Sequence, residues 1–171
     1  MTTIRPEQPG DAAAVRHVNE RAFPTSIEAD IVDALRVSCP DRLSLVAVDE
    51  GRVVGHILFS PAVLNTTAGE LRGMALAPMA VLPERQNRGV GSDLVRAGLG
   101  ILRQRGCPFV IVLGHPAYYP RFGFEPAHRF GIRPQWEDVP DEAFMVRFLV
   151  PPGDRPVSGT ARYRDEFNAA T

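Results

Sequence analysis

Cysteine is scarce in this chain: Cys39 and Cys107 are the only two in 171 residues. The N-terminus, Met-Thr-Thr-Ile-Arg-Pro-Glu, has no apolar targeting segment. Together these argue against a disulfide framework and for a reducing, cytoplasmic setting. No apolar run approaches the ~20 residues that a membrane-spanning helix requires, so no membrane partner is expected. Excess positive charge is also missing. The formal net charge is −1, which leaves no global basic footprint for nucleic acid. The four histidines, at 17, 56, 115 and 128, and the two cysteines show no ligand spacing, which predicts no metal site. Internal repeats and low-complexity tracts are absent. What is present is ordinary for a globular protein: 44% hydrophobic and 23% charged residues, in a chain long enough for one domain with a proper core.

The pattern along the chain predicts a short strand over Thr3–Arg5, stopped by Pro6, and a helix from an Asp11 cap to Ala22. Thr25-Ser-Ile-Glu28 matches a capping box and predicts a second helix over Ile27–Val37. Leu43–Val48 and Val53–Ser60 read as strands around the hairpin turn Asp49–Arg52. Asn65–Gly69 reads as a second turn, leading to a strand over Gly73–Leu82. An amphipathic helix covers Ser92–Arg103, with Gly106 as its C-cap. Phe109–Leu113 is a continuous apolar run, typical of a central strand buried on both faces. Tyr118–Phe122 reads as a short helical turn, Arg129–Arg133 and Ala143–Val150 as strands, and the Pro- and Gly-rich segment from Pro151 as a surface tail anchored by Tyr163 and Phe167. A strand, two helices, an antiparallel meander and a strand–helix–strand crossover predict a mixed α/β (α+β) sheet with helices on its faces.

The richest stretch is Met79-Ala-Val-Leu-Pro-Glu-Arg-Gln-Asn-Arg-Gly-Val-Gly-Ser92. An apolar strand end passes through a polar, basic loop into a glycine-rich helix start. Helix N-termini present unpaired N–H groups at the positive end of the dipole, and glycine lets a phosphate approach the main chain. A Walker loop needs a lysine that this loop lacks. A Rossmann fingerprint needs a third glycine where Leu94 stands. A third pattern, Gln/Arg-x-x-Gly-x-Gly/Ala, is met by Gln86-Asn-Arg-Gly89-Val-Gly91. Downstream of the next strand, Tyr119-Pro-Arg-Phe-Gly-Phe124 matches Tyr-x-x-x-Gly-Phe.

These two motifs, in register across about residues 3–150, resemble the GNAT superfamily of acyl-CoA-dependent N-acetyltransferases. The stretch Gly114–Phe124 also resembles a bacterial subgroup of predicted N-acetyltransferases. The resemblance implies a GNAT-like fold: a central, mostly antiparallel sheet, a parallel strand–helix–strand crossover and helices on both faces. It implies a single domain over residues 1–150 and a C-terminal tail, 151–171, packed on or near it. The cosubstrate is then acetyl-CoA, and the acceptor is a primary amine on a small molecule or a peptide. An exposed sheet edge in such a fold can support a homodimer.

Carried over residue by residue, the resemblance sets the pantetheine arm beside Met79, Ala80 and Val81, in a gap splayed between two parallel strands. It sets the pyrophosphate on the N–H groups of Asn87, Arg88, Gly89, Val90, Gly91 and Ser92. Arg88 adds positive charge; Arg85 reads equally well as a phosphate contact and as a solvated arginine. Tyr119 is the expected catalytic residue, donating a proton or a hydrogen bond to the departing thiolate in direct transfer within a ternary complex. Tyr118 and Gly123-Phe124 read as packing and turn residues, and Cys107 as small core filler. The base that frees the amine stays open among Glu28, which also reads as a capping-box residue, His56, His115 and water. A non-catalytic acyl-CoA-binding or sensing module is the alternative function.

Overall fold

Strand β1 (Thr2–Pro6), helices α1 (Ala12–Ala22) and α2 (Ile27–Ser38), and strands β2 (Leu43–Asp49), β3 (Arg52–Thr66) and β4 (Gly69–Val81) come first. Helix α3 (Val90–Gln104) and strands β5 (Phe109–Leu113), β6 (Glu125–Pro126), β7 (Ile132–Pro134), β8 (Phe144–Phe148) and β9 (Gly159–Arg162) follow. The computed structural model describes residues 1–170. They divide into two units: Met1–Ser60, Ala77–Leu99 and the segment from Glu166 form the first, Pro61–Leu76 and Gly100–Asp165 the second. The strands pair antiparallel except for β4 with β5 and β7 with β9. The mixed, mostly antiparallel sheet with its β4–α3–β5 crossover is therefore as expected.

In the first unit, β1, β2 and the start of β3 form an antiparallel meander. The β2–β3 hairpin turns at Glu50 and Gly51, whose φ values of 49° and 75° suit the right-handed twist of the flanking strands. Successive residues of β3 point to opposite faces. A Cβ on Gly55 would meet the side chains of Val90 and Leu94 of α3 at 3.0 and 3.1 Å. The next residue, His56, meets Asn19 of α1. Helices therefore cover both faces of this meander. Gly98 of α3 lies so close to β3 that a Cβ there would sit 2.2 Å from the Phe59 ring.

Two caps differ from expectation. Asp11 is the N-cap residue of α1 but makes no side-chain cap bond: its carboxylate accepts from the Gln8 N–H at 2.7 Å and from Arg5 at 2.7 and 3.1 Å, closing the 3-10 turn Pro9–Asp11 ahead of the helix. The capping box at Thr25–Glu28 is not formed either. Ser26 is the N-cap, makes no side-chain cap bond, and donates its hydroxyl to Asp30 at 3.3 Å.

In the second unit, Met74–Leu76 of β4 run parallel to Val110–Val112 of β5. β8 pairs antiparallel with β5 and with β6. Phe109–Val112 are buried, as a two-faced central strand requires. Three expectations are corrected here. β3 runs through Pro61 to Thr66, because Val63–Thr66 find a partner in β9, a strand from the far end of the chain. Arg129–Arg133 is not one strand: Ala127–Phe130 form a 3-10 turn, left-handed Gly131 ends it, and β7 begins at Ile132. The segment from Pro151 does not merely lie on the surface, since it contributes β9. Tyr163 and Phe167 are buried, as anchors should be. Thr171, the last residue of the expected tail, lies outside the described residues.

Candidate active site

The first unit carries the loop from Met79 to Ser92. Leu82 N–H donates to the Val54 carbonyl at 2.9 Å, holding the end of β4 on β3. The chain then makes a 3-10 turn over Pro83–Arg85. Gln86, the first residue of the glycine motif, donates its side-chain amide to the Val81 carbonyl at 3.0 Å. This bond closes the loop onto the strand it leaves, and gives the motif glutamine a structural task that the sequence did not reveal. Asn87 and Gly89 are left-handed, with φ of 61° and 86°. Gly89 is exposed, and open space surrounds the position a Cβ would take. α3 starts at Val90, two residues earlier than its pattern predicts, and Asp93 N–H makes a helical bond to the Gly89 carbonyl at 3.0 Å. The first turn of α3, from Val90, therefore presents the positive end of the helix dipole to the loop. Asn87 and Arg88 are exposed beside it.

Arg85 is already engaged. It ion-pairs with Asp49, whose carboxylate also takes the N-terminal ammonium at 3.1 Å. The hydrogen bond from Arg85 is the main reason the Asp49 carboxyl lies below its ordinary range. Of the two loop arginines, Arg88 is the one whose charge no carboxylate holds among the described residues.

The second unit carries Tyr119. Leu113 ends β5, and the His115 carbonyl accepts from the N–H groups of Tyr118 and Tyr119 at 3.1 and 3.4 Å. This turn drops Tyr119 into a 3-10 turn over Tyr119–Phe122, terminated by Gly123 at φ 86°. Its ring packs edge-on against Tyr118 and Phe124, with centroids 5.1 and 5.7 Å apart. A Cβ on Gly114 would lie 2.4 Å from the Tyr119 ring, so glycine there is what lets the ring lie over the end of β5. Burial, with a smaller contribution from Tyr118, pushes the Tyr119 phenol well above its ordinary 10. It is therefore protonated throughout the working pH range. Tyr118 is packing material, with the Arg121 guanidinium 4.6 Å over its ring. The His115 side chain is exposed; its visible task is the backbone turn.

His56 is removed from the candidate bases by its own partners. It is fully buried. The Asn19 amide donates to the Val15 carbonyl at 3.0 Å and to His56 Nδ1 at 3.1 Å. Nδ1 must then be the bare nitrogen, and Nε2–H donates to Ser44 Oγ at 2.9 Å. Ser44 in turn donates to Glu7, which Arg36 grips. Desolvation lowers the His56 pKa to about 4, keeping the ring neutral. Sequence reading missed this chain because its members lie on β2, β3, both early helices and the turn after β1. Cys107 donates weakly to the Phe109 carbonyl at 3.3 Å, and burial raises its thiol pKa; a thiol kept protonated is a poor nucleophile. Among the described residues no three His, Cys, Asp or Glu side chains gather to hold a metal, and no helix is long and apolar enough to cross a membrane.

The profile of the Acetyltransferase (GNAT) domain family matches residues 3–127. The chain is 36% identical to the N-acetyltransferase YhbS of Escherichia coli over 166 residues, 96% of this chain and 98% of YhbS. It is 49% identical to the N-acetyltransferase YjhQ of Escherichia coli over 118 residues, which span 68% of this chain and just under two thirds, 65%, of YjhQ. The fold matches the crystal structure of Escherichia coli YhbS in complex with CoA with a TM-score of 0.90 and 35% identity, covering 98% of this chain and 92% of that one. It matches a Brucella melitensis GNAT acetyltransferase in complex with acetyl-CoA with a TM-score of 0.80 and 37% identity, covering 98% of each chain. In loop, motif and fold alike, this chain belongs to the GNAT acetyltransferase family.

Proposed function

We propose that the protein transfers the acetyl group of acetyl-CoA directly to a primary amine, on a small molecule or a peptide. The observation that carries this reading is the α3 entrance: the left-handed Asn87 and Gly89, the exposed Arg88, and the helix N–H groups of Val90, Gly91 and Ser92. Those features suit a pyrophosphate, which needs positive charge and convergent N–H donors. The main chain of Met79–Val81 pairs with the pantetheine arm, and an N–H in that stretch polarises the thioester carbonyl as charge builds on its oxygen.

Tyr119 serves the leaving group. A buried phenol with a raised pKa yields its proton reluctantly, so it acts by directing O–H at the sulfur as the C–S bond breaks. The amine nitrogen bonds to the carbonyl carbon, and the tetrahedral intermediate collapses to amide and thiolate. The amide nitrogen then sheds its extra proton, which goes to the thiolate or to water, while the Tyr119 O–H holds the departing sulfur by a hydrogen bond.

Calorimetry with acetyl-CoA and a thiol-release assay over a library of amines test the reading together. Acetyl-CoA binds in the micromolar range and at least one amine releases thiol; Tyr119→Phe keeps the affinity and lowers kcat by about a hundredfold. No binding at millimolar acetyl-CoA overturns the site. Binding without turnover on any amine points to a sensing module, and full activity in Tyr119→Phe removes the tyrosine from the mechanism.

A further inference from the structure

We propose that Arg147 is the positioning residue of Tyr119: its guanidinium holds the short turn that carries the tyrosine, so that the phenol O–H stays directed at the departing sulfur. This inference rests on the role proposed above for Tyr119. Arg147 lies on β8, opposite Val110 of the central strand β5. Its neighbour Val146 lies opposite Glu125 of β6, so β8 is paired along both edges. From this fixed backbone the half-buried side chain donates Nη1–H to the carbonyl of Phe122, the last residue of the 3-10 turn Tyr119–Phe122. A guanidinium on a carbonyl makes a charge-assisted bond, stronger than one between neutral groups.

The bond falls where it governs the tyrosine ring. Phe122 and Phe124 are buried neighbours of Tyr119, with centroids 6.4 and 5.7 Å from its own. Gly123 stands between them. It is left-handed at φ 86°, and a Cβ there would lie 2.2 Å from Nη1 and 2.9 Å from Cζ of Arg147. Glycine at 123 therefore both turns the backbone and lets the guanidinium lie against it. The His115 carbonyl ties the entrance of the turn, and the Gly123 N–H donates to the Pro120 carbonyl at 3.0 Å. Those bonds close the turn on itself; the Arg147 bond ties it to the sheet.

Arg147 has no competing acid. Among the described residues it enters no ion pair, whereas Arg5, Arg16, Arg36 and Arg85 each meet a carboxylate. A half-buried cation without an anion costs desolvation, and what it supplies in return is a donor fork of fixed direction. Fixed direction is what a hydrogen bond to a leaving group needs, since it weakens steeply as the donor drifts or tilts. The loop ahead of α3 has its own ties, through Arg85 and Gln86, inside the first unit. Loss of the Arg147 bond is therefore felt in turnover and not in acetyl-CoA affinity.

The test is Arg147→Met, which keeps the apolar stem and removes the guanidinium, made in the wild type and again in Tyr119→Phe. Thiol release on the best amine of the library gives kcat and KM, and calorimetry gives the affinity for acetyl-CoA. In the wild-type background kcat falls about tenfold, and the acetyl-CoA dissociation constant stays within about twofold. In the Tyr119→Phe background the same substitution leaves kcat unchanged, because the hydroxyl it would misplace is gone. A merely structural arginine does not produce that non-additivity. Arg147→Lys keeps the cation without the fork and falls between; it carries the same comparison should the methionine variant fail to fold. Full activity in Arg147→Met, or an equal loss in both backgrounds, overturns the proposal, and so does a loss of acetyl-CoA affinity in place of kcat. A wild type that acetylates no amine, or a Tyr119→Phe as fast as the wild type, overturns the reading beneath it. An impaired Tyr119→Phe beside an unimpaired Arg147→Met overturns this inference alone.

Discussion

Gly114 leaves room for the Tyr119 ring and little more. A methyl group there would sit 2.4 Å from the Tyr119 ring, far inside contact distance, and the backbone at 114 does not itself demand glycine, since its φ is not left-handed. Gly114→Ala therefore pushes the ring aside without unfolding the turn. Turnover falls about tenfold or more, while calorimetry finds acetyl-CoA affinity within a few-fold of the wild type. An alanine variant with unchanged kcat shows that the ring's position is immaterial. Tyr119 itself stood out in the sequence because a motif marks it, and Gly114 did not. The contact between them depends on where the 3-10 turn swings the ring. The same holds for Glu28: three residues from Thr25 it reads as a capping-box residue, and only folded geometry shows Ser26 as the cap and the glutamate oxygen without a donor.

Among the elements, the loop between β4 and α3 is the one whose motif and geometry agree. The glycines and the helix start were legible because left-handed backbone and close approach need glycine wherever they occur. The task of Gln86 was not legible, since an amide side chain five residues beyond Val81 signals nothing until the 3-10 turn brings them to 3.0 Å. Gln86→Ala removes that bond, worth about 1 kcal/mol. If the closed loop is what presents the N–H groups, acetyl-CoA binds about fivefold more weakly. An unchanged dissociation constant shows that the loop holds its shape without the glutamine. Elements read less well where partners are remote. The local pattern predicts a strand only over Val53–Ser60, yet β3 continues to Thr66 because β9 pairs with Val63–Thr66 nearly a hundred residues further along the chain. Arg129–Arg133 was read as one strand because local pattern does not place the left-handed Gly131 that splits it.

At the scale of the molecule, the buried chain from Asn19 through His56 and Ser44 to Glu7 and Arg36 joins α1, α2, β2, β3 and the turn after β1. It also sets an acid limit. The folded His56 ring has a pKa of about 4 against 6.5 for an exposed histidine, so the unfolded chain binds this proton first as pH falls. Stability is full above pH 6.5, declines between 6.5 and 4 by about 3 kcal/mol, and loses nothing more from this group below that. Carboxyls held low by arginine, such as Asp11 and Asp49, withdraw their contribution only at lower pH, as they protonate. Thermal melts from pH 7 to 4 record the decline, and His56→Gln, less stable at pH 7, shows a flatter pH dependence over that window. A wild type equally stable at pH 7 and pH 4.5 contradicts a histidine that is neutral in the fold.

The sequence by itself determined the family, the central strand Phe109–Leu113, the crossover around α3 and the glycine-rich loop that leads into it. Each of these rests on local rules: apolar runs bury, glycine permits left-handed backbone, and a helix start exposes N–H groups. The tertiary structure decided which polar groups are already spoken for. Arg85 belongs to Asp49, Gln86 to Val81 and His56 to Asn19 and Ser44, while one oxygen of Glu28 is left without a donor. A side chain's chemistry depends on desolvation and on partners distant in sequence, and neither exists until the chain has folded.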